Sequence, residues 1–191
     1  MTAELVFQNT AERSRELAQD IVSAAHLTGD FVLSSGGRSS YYFDKYLFET
    51  KPTILRRLAS ALAERIPASV DRLAGPELGA VALVTAVSLE TGLPFVIVRK
   101  ASKGYGTSRF IEGELHRGER VLIIEDIIST GSEALKAAAQ VERAGGDITG
   151  ILAVIDRGHG GAENISAAGY RLEALYDRSG LPTPDHERSN R

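Results

Sequence analysis

The sequence predicts an α/β fold: a parallel sheet covered by helices on both faces, with a small N-terminal hood. Three observations predict it. Short apolar runs at Phe95–Val98, Val121–Ile124 and Ile148–Ile155 lack the polar alternation of a strand with one wet face, so they read as strands buried on both sides. Helical stretches separate them, as crossover connections require. The chain has 191 residues, 43% of them hydrophobic, which is about one domain with one real core.

The elements follow in order. Residues 11–25 place Ala11, Leu17, Ala18, Ile21, Val22 and Ala25 on one helical stripe, with Thr10 as the expected N-cap. Two short apolar runs, Phe31-Val-Leu and Tyr41-Tyr-Phe, flank a Gly-Gly turn and read as an antiparallel hairpin. Pro52 opens a helix carrying Leu55, Leu58, Leu62 and Ile66. A strand over 71–74 ends at Gly75-Pro76, and Leu78–Thr91 is an apolar helix stopped by Gly92. After Phe95–Val98, residues 99–119 are polar and dotted with glycine. Arg120–Glu125 is a second buried strand, Ser132–Arg143 a helix, and Ile148–Ile155 a third strand. A short helix at Ala162–Ala168 and a strand at Leu172–Leu175 close the fold. One domain over 1–191 is expected, with a hood over about 1–50, a core over about 51–180 and a polar tail over 181–191.

Composition narrows the function. Lysine plus arginine is 22 and aspartate plus glutamate is 25, a net charge of −3, which argues against nonspecific binding to nucleic acid or an anionic membrane. No cysteine is present, so disulfides, thiolate metal sites and cysteine nucleophiles are excluded. The apolar stretch Gly79–Leu89 is too short to span a bilayer, and Met1–Ser14 has no secretory h-region. A cytoplasmic location is expected.

The strongest motif is Val121-Leu-Ile-Ile-Glu-Asp-Ile-Ile-Ser-Thr-Gly-Ser132. A buried strand ends in Glu125 and Asp126. Ile127 and Ile128 follow, then Ser129, Thr130, Gly131 and Ser132, then a helix with Glu133 in its first turn. Unpaired N–H groups and the positive end of the helix dipole suit an anion there, and small residues let a phosphate approach the backbone. The two acids lie just upstream and suit sugar hydroxyls. A bare Ser-Thr-Gly-Ser caps many helices; strand, acid pair and helix in register select the sugar-phosphate reading.

This segment resembles the 5-phosphoribosyl diphosphate (PRPP) signature of type I phosphoribosyltransferases, with Ser129 where many members carry threonine. Four further segments are similar to orotate phosphoribosyltransferases in particular. They are Phe31–Asp44, Ala74–Gly79, Val98–Gly106 with Ile111-Glu-Gly113, and Asp156-Arg157. The resemblance spans about residues 30–160. It implies a type I phosphoribosyltransferase-like central sheet. It also implies transfer of phosphoribose from PRPP to a ring nitrogen of orotate, giving orotidine 5′-monophosphate and pyrophosphate for UMP synthesis.

Site residues follow from chemistry and resemblance together. Ser129–Glu133 would hold the 5′-phosphate, and Glu125 and Asp126 the ribose diol beside the developing positive charge. Arg99, Lys100, Lys103 and Arg109 are four cations in eleven residues without an acid, in a loop made mobile by Gly104 and Gly106. The resemblance implies that loop 99–113 closes over the partner subunit of a homodimer, with Lys103 neutralising the departing pyrophosphate. Tyr105 stands where many relatives have histidine. Arg157 offers a bidentate fork to the orotate carboxylate, with Ser129, Tyr42 and Phe43 as further base contacts. Mg²⁺ is expected to arrive on the pyrophosphate, without a direct protein ligand. Some relatives carry lysine at the positions of Ser34 and near Leu78–Gly79, where this chain has none. His159 lies near the expected site without an assigned role. Two other readings stay open: a phosphoribosyltransferase for another base, and a PRPP-sensing regulator without activity. The hairpin and Arg157 speak against the first, and the want of a helix-turn-helix extension or broad basic face against the second.

Overall fold

A computed structural model describes residues 3–32, 36–100 and 110–182; the proposed roles of Ser34, Lys103, Tyr105 and Arg109 lie outside these residues. A six-stranded sheet forms the centre, in the order β5-β4-β3-β6-β7-β8. Its strands are β3 (Arg72–Pro76), β4 (Phe95–Val98), β5 (Ile111–Glu112), β6 (Arg120–Ile128), β7 (Asp147–Asp156) and β8 (Leu172–Tyr176). All pairings in this sheet are parallel except β4 with β5, an antiparallel edge inside the polar stretch 99–119 where the sequence predicts a loop.

Strand alternation sorts the core into two layers. Leu122 and Ile124 of β6 face a layer built by α1 (Ala3–Ala25), α2 (Tyr46–Glu49), α3 (Pro52–Ala63) and α4 (Gly79–Thr91). Val121 and Ile123 face the opposite layer, built by α5 (Ser132–Arg143) and α6 (Gly161–Ala167). Both layers are apolar, so a strand between them has no polar face. This accounts for the VLII run.

The N-terminal part departs from expectation in two places. The first helix begins at Ala3, so Thr10 lies inside it and is not its N-cap. Leu17, Ala18, Ile21, Val22 and Ala25 are buried as the stripe requires, whereas Ala11 is exposed. The hairpin forms from β1 (His26–Val32) and β2 (Arg38–Phe43), longer than the apolar runs because an irregularity between Thr28 and Phe31 absorbs Gly29 and Asp30. Helix α2, four residues long, has too little length to show a helical period in the sequence. The second predicted helix does start at Pro52, whose missing N–H costs nothing at the first helical position.

Candidate functional site

Parallel strands bring the loops after β3, β4, β6 and β7 to one edge of the sheet, where ligands of such sheets bind. Hydrogen bonds join these loops. Glu77, after β3, accepts the main-chain N–H of Lys100 at 2.7 Å, and its other oxygen lies 3.5 Å from Arg99. Lys100 also reaches Glu133 of α5, at 3.6 Å. The main-chain N–H of Arg157 donates to the Ile128 carbonyl at 2.9 Å.

The turn after β6 has the shape of a phosphate cradle. Gly131 adopts φ +78°, a conformation glycine takes at little cost, and α5 starts at the next residue. The turn rests on α6: a side chain at Gly131 would stand 3.0 Å from Ile165 and 3.1 Å from the Gly161 carbonyl. Asn164 donates to the Thr130 carbonyl at 3.0 Å and braces the turn from below. Ser129, Thr130, Ser132 and Glu133 remain partly or fully exposed at the mouth.

Strand β6 runs three residues beyond the predicted end, through Asp126, Ile127 and Ile128. The acid pair is therefore inside the strand and buried, at 6% exposure for Glu125 and 2% for Asp126. Alternation sends Glu125 toward the α5 layer and Asp126 toward α2 and α4. Lys45 Nζ stands 2.5 Å from Asp126 Oδ2. Asp126 Oδ1 accepts the Ile127 N–H, and Glu125 Oε2 accepts the Asp126 N–H at 3.2 Å. Burial, then the Asp126 charge, push the carboxyls of Glu125 and of Glu49 up to about 8. Burial works against the Lys45 charge, but the attraction of Asp126 outweighs it and raises the lysine's pKa.

The base-binding candidates separate. The Arg157 guanidinium lies 5.9 Å from the centre of the Phe43 ring, a cation–π approach that places both at one wall of the site. Tyr42, the next residue back along β2, packs instead on Phe31, ring centres 5.6 Å apart. Ser129 Oγ is hydrogen-bonded to His159 Nδ1 at 3.1 Å, which joins the cradle to the loop carrying Arg157. Sequence reasoning missed Lys45, Glu49, Glu77 and Asn164. Glu49 and Lys45 carried one signal, their four-residue spacing on a helical turn. Among the described residues no three His, Asp or Glu side chains are grouped to hold a metal ion, and no helix is long and apolar enough to cross a membrane.

Residues 49–171 match the profile of the phosphoribosyl transferase domain family. The orotate phosphoribosyltransferase of Methanocella arvoryzae is 44% identical over 153 residues, covering 80% of this chain and 87% of that protein. That of Thermococcus gammatolerans is 45% identical over 175 residues, covering 87% and 93%. Among solved structures, orotate phosphoribosyltransferase of Mycobacterium tuberculosis H37Rv, in complex with Fe(III) dicitrate, superposes with a TM-score of 0.80. It is 31% identical and covers 90% of this chain and 99% of its own. The same enzyme in complex with PRPP gives a TM-score of 0.75 at 29% identity, covering 88% and 98%.

Proposed function

The chain belongs to the orotate phosphoribosyltransferases of the phosphoribosyl transferase domain family, and from that premise we propose how its residues divide the work. The reaction forms a bond from an orotate ring nitrogen to the anomeric carbon of PRPP and breaks the bond to pyrophosphate. The nitrogen attacks opposite the leaving group, so the anomeric carbon inverts. A protein needs no covalent nucleophile for this; its tasks are positioning and charge stabilisation.

The main-chain amides of Ser129–Glu133, with the hydroxyls of Ser129, Thr130 and Ser132, hold the 5′-phosphate. Asp126 and Glu125, immediately upstream, hold the ribose hydroxyls and face the positive charge that develops at the anomeric carbon. Glu125 carries a proton near neutral pH and so can donate to a hydroxyl, whereas Asp126, paired with Lys45, accepts. Arg99, Lys100 and Lys103 receive the diphosphate, with Tyr105 as a neutral donor beside them. Arg157 takes the orotate carboxylate in a fork, and Phe43, under the guanidinium, lies against the pyrimidine; Ser129 and Tyr42 complete that side.

Mg²⁺ prefers phosphate oxygens, water and one or two carboxylates. The oxygen donors Glu125 and Asp126 suit its chemistry, but Asp126 is already engaged by Lys45. The site therefore fits an ion carried on the diphosphate and reached through water. Such an ion, when bound, neutralises the leaving group. The working unit in this proposal is a homodimer, with loop 99–113 of one subunit serving the site of its partner.

One observation carries the reading: a buried acid pair lies near the end of β6, two residues before the cradle, and the main chain of Arg157 is tied to the same strand end. Incubation with PRPP, Mg²⁺ and a panel of bases tests it. Orotate-dependent pyrophosphate release is expected. Turnover of hypoxanthine without turnover of orotate overturns the base assignment, and absence of any turnover overturns the enzymatic one.

A further inference from the structure

Asp126 and Glu49 are buried on the α2 side of the end of β6, Glu125 is buried on the α5 side, and the Lys45 ammonium lies against Asp126. Lys45 immediately precedes α2 and Glu49 ends it, so one helical turn delivers both. The lysine reaches Asp126 through a gap that exists because residue 79 is glycine. A Cβ on Gly79 would stand 2.5 Å from Lys45 Nζ and would overlap the Asp126 carboxylate. Asp126 Oδ1 accepts the Ile127 N–H and Oδ2 the ammonium, and the Glu49 carboxyl lies within hydrogen-bonding reach of the same group. Glu49 closes the cluster from behind, 1% exposed, with Oε1 lacking a hydrogen-bond partner among the described residues.

Resting on the assignment of Asp126 to the ribose, we propose that Lys45 is a positioning residue: through the space left by Gly79 it holds the Asp126 carboxylate in one orientation under the anomeric carbon. Glu49 and Asp126 meet in one low-dielectric place, where a carboxylate stays fixed only if a donor is bonded to it. Among the described residues the hydrogen bond of the Lys45 ammonium goes to Asp126, so it selects that acid. Its side chain keeps 33% exposure, so the pair borders the open site and is not sealed in the core.

Steady-state kinetics of the full chain with PRPP, Mg²⁺ and orotate test this. Lys45→Met is expected to lower kcat about 100-fold, the scale of losing one preorganised electrostatic group. The KM for orotate should stay within about threefold, because ground-state contacts to the base are untouched. Lys45→Arg, which restores a donor cation, should recover at least tenfold of the loss. Gly79→Ala keeps the charge but takes its space, and should lower kcat in the same way. The proposal fails if Lys45→Met keeps wild-type kcat. It also fails if Lys45→Arg is no better than Lys45→Met, or if kcat and both KM values degrade together as in a generally loosened fold. Should Lys45→Met not fold, wild-type kcat in Gly79→Ala is enough to overturn it. Wild-type protein that does not turn over orotate sinks the underlying assignment instead.

Discussion

The two edges of the central sheet treat charge in opposite ways. At the amino edge every buried or half-buried charge has a matched partner. Arg72 forks onto Glu119 at 2.6 and 2.8 Å, and Arg120 onto Asp71 at 2.8 and 2.8 Å. Hydrogen bonds from those arginines hold Glu119 and Asp71 below the usual carboxylate range. At the carboxyl edge Lys45 pairs with Asp126, while burial drives the neighbouring Glu49 and Glu125 upward. The same residue types are thus shifted in opposite directions within one sheet. A paired edge stabilises; buried acids whose carboxyls are pushed upward cost stability, the usual mark of a functional site.

The contrast is broken most severely at Asp126. Asp126→Ala is expected to lower kcat about 100- to 1000-fold, with a smaller change in PRPP affinity. Orotate consumption followed by absorbance reads the first and calorimetric titration the second. A normal kcat removes the acid pair from the mechanism.

Next comes Arg157→Ala. A charge-assisted fork contributes about 1.5–3 kcal/mol, so the KM for orotate should rise about 10- to 100-fold while PRPP binding holds. Equal weakening of both substrates contradicts the division of labour between the two loops.

Arg72→Met probes the paired edge. Leaving Glu119 without its fork should cost about 1–3 kcal/mol. At this chain length that is a Tm loss of about 2–10 °C by calorimetry, with kinetic constants unchanged at 25 °C. A kinetic defect without a thermal one erases the difference between the edges.

The smallest effect sharpens the contrast through pH. Glu49 titrates near 8 when folded against an ordinary 4.5. The folded chain therefore keeps a proton that the unfolded chain loses. The stability from this group is complete below about pH 4.5 and falls as pH rises through about 8. Denaturant midpoints should decline between pH 6 and 9, and less steeply in Glu49→Gln. An identical slope in the variant clears Glu49 of this role.

Much of this architecture was legible in the sequence because one segment carried several signals in register. The VLII run marks a strand between two apolar layers, and the acids and Ser-Thr-Gly-Ser follow in fixed order, so β6, the cradle and α5 were all readable. The convergence of Glu77, Lys100, Ser129 and Arg157 followed from parallel strand direction alone. What escaped was short or decided at a distance. Helix α2 is a single turn, and β5 is two residues paired to an edge. The burial of Glu49 depends on where that turn docks, and the meeting of Lys45 with Asp126 spans 81 positions of chain. The split of Tyr42 from Phe43 was half-visible: alternation says they part, not which one meets Arg157.

The bond from the Arg157 amide to the Ile128 carbonyl has an engineering consequence. It uses only main-chain atoms, so it survives any non-proline substitution at position 157. The residue proposed to hold the orotate carboxylate can be exchanged while the neighbouring turn stays anchored. Under the proposed division of labour, libraries randomised at 157 should yield altered nucleobase preference with the turn after β6 intact, and proline is the exchange to leave out.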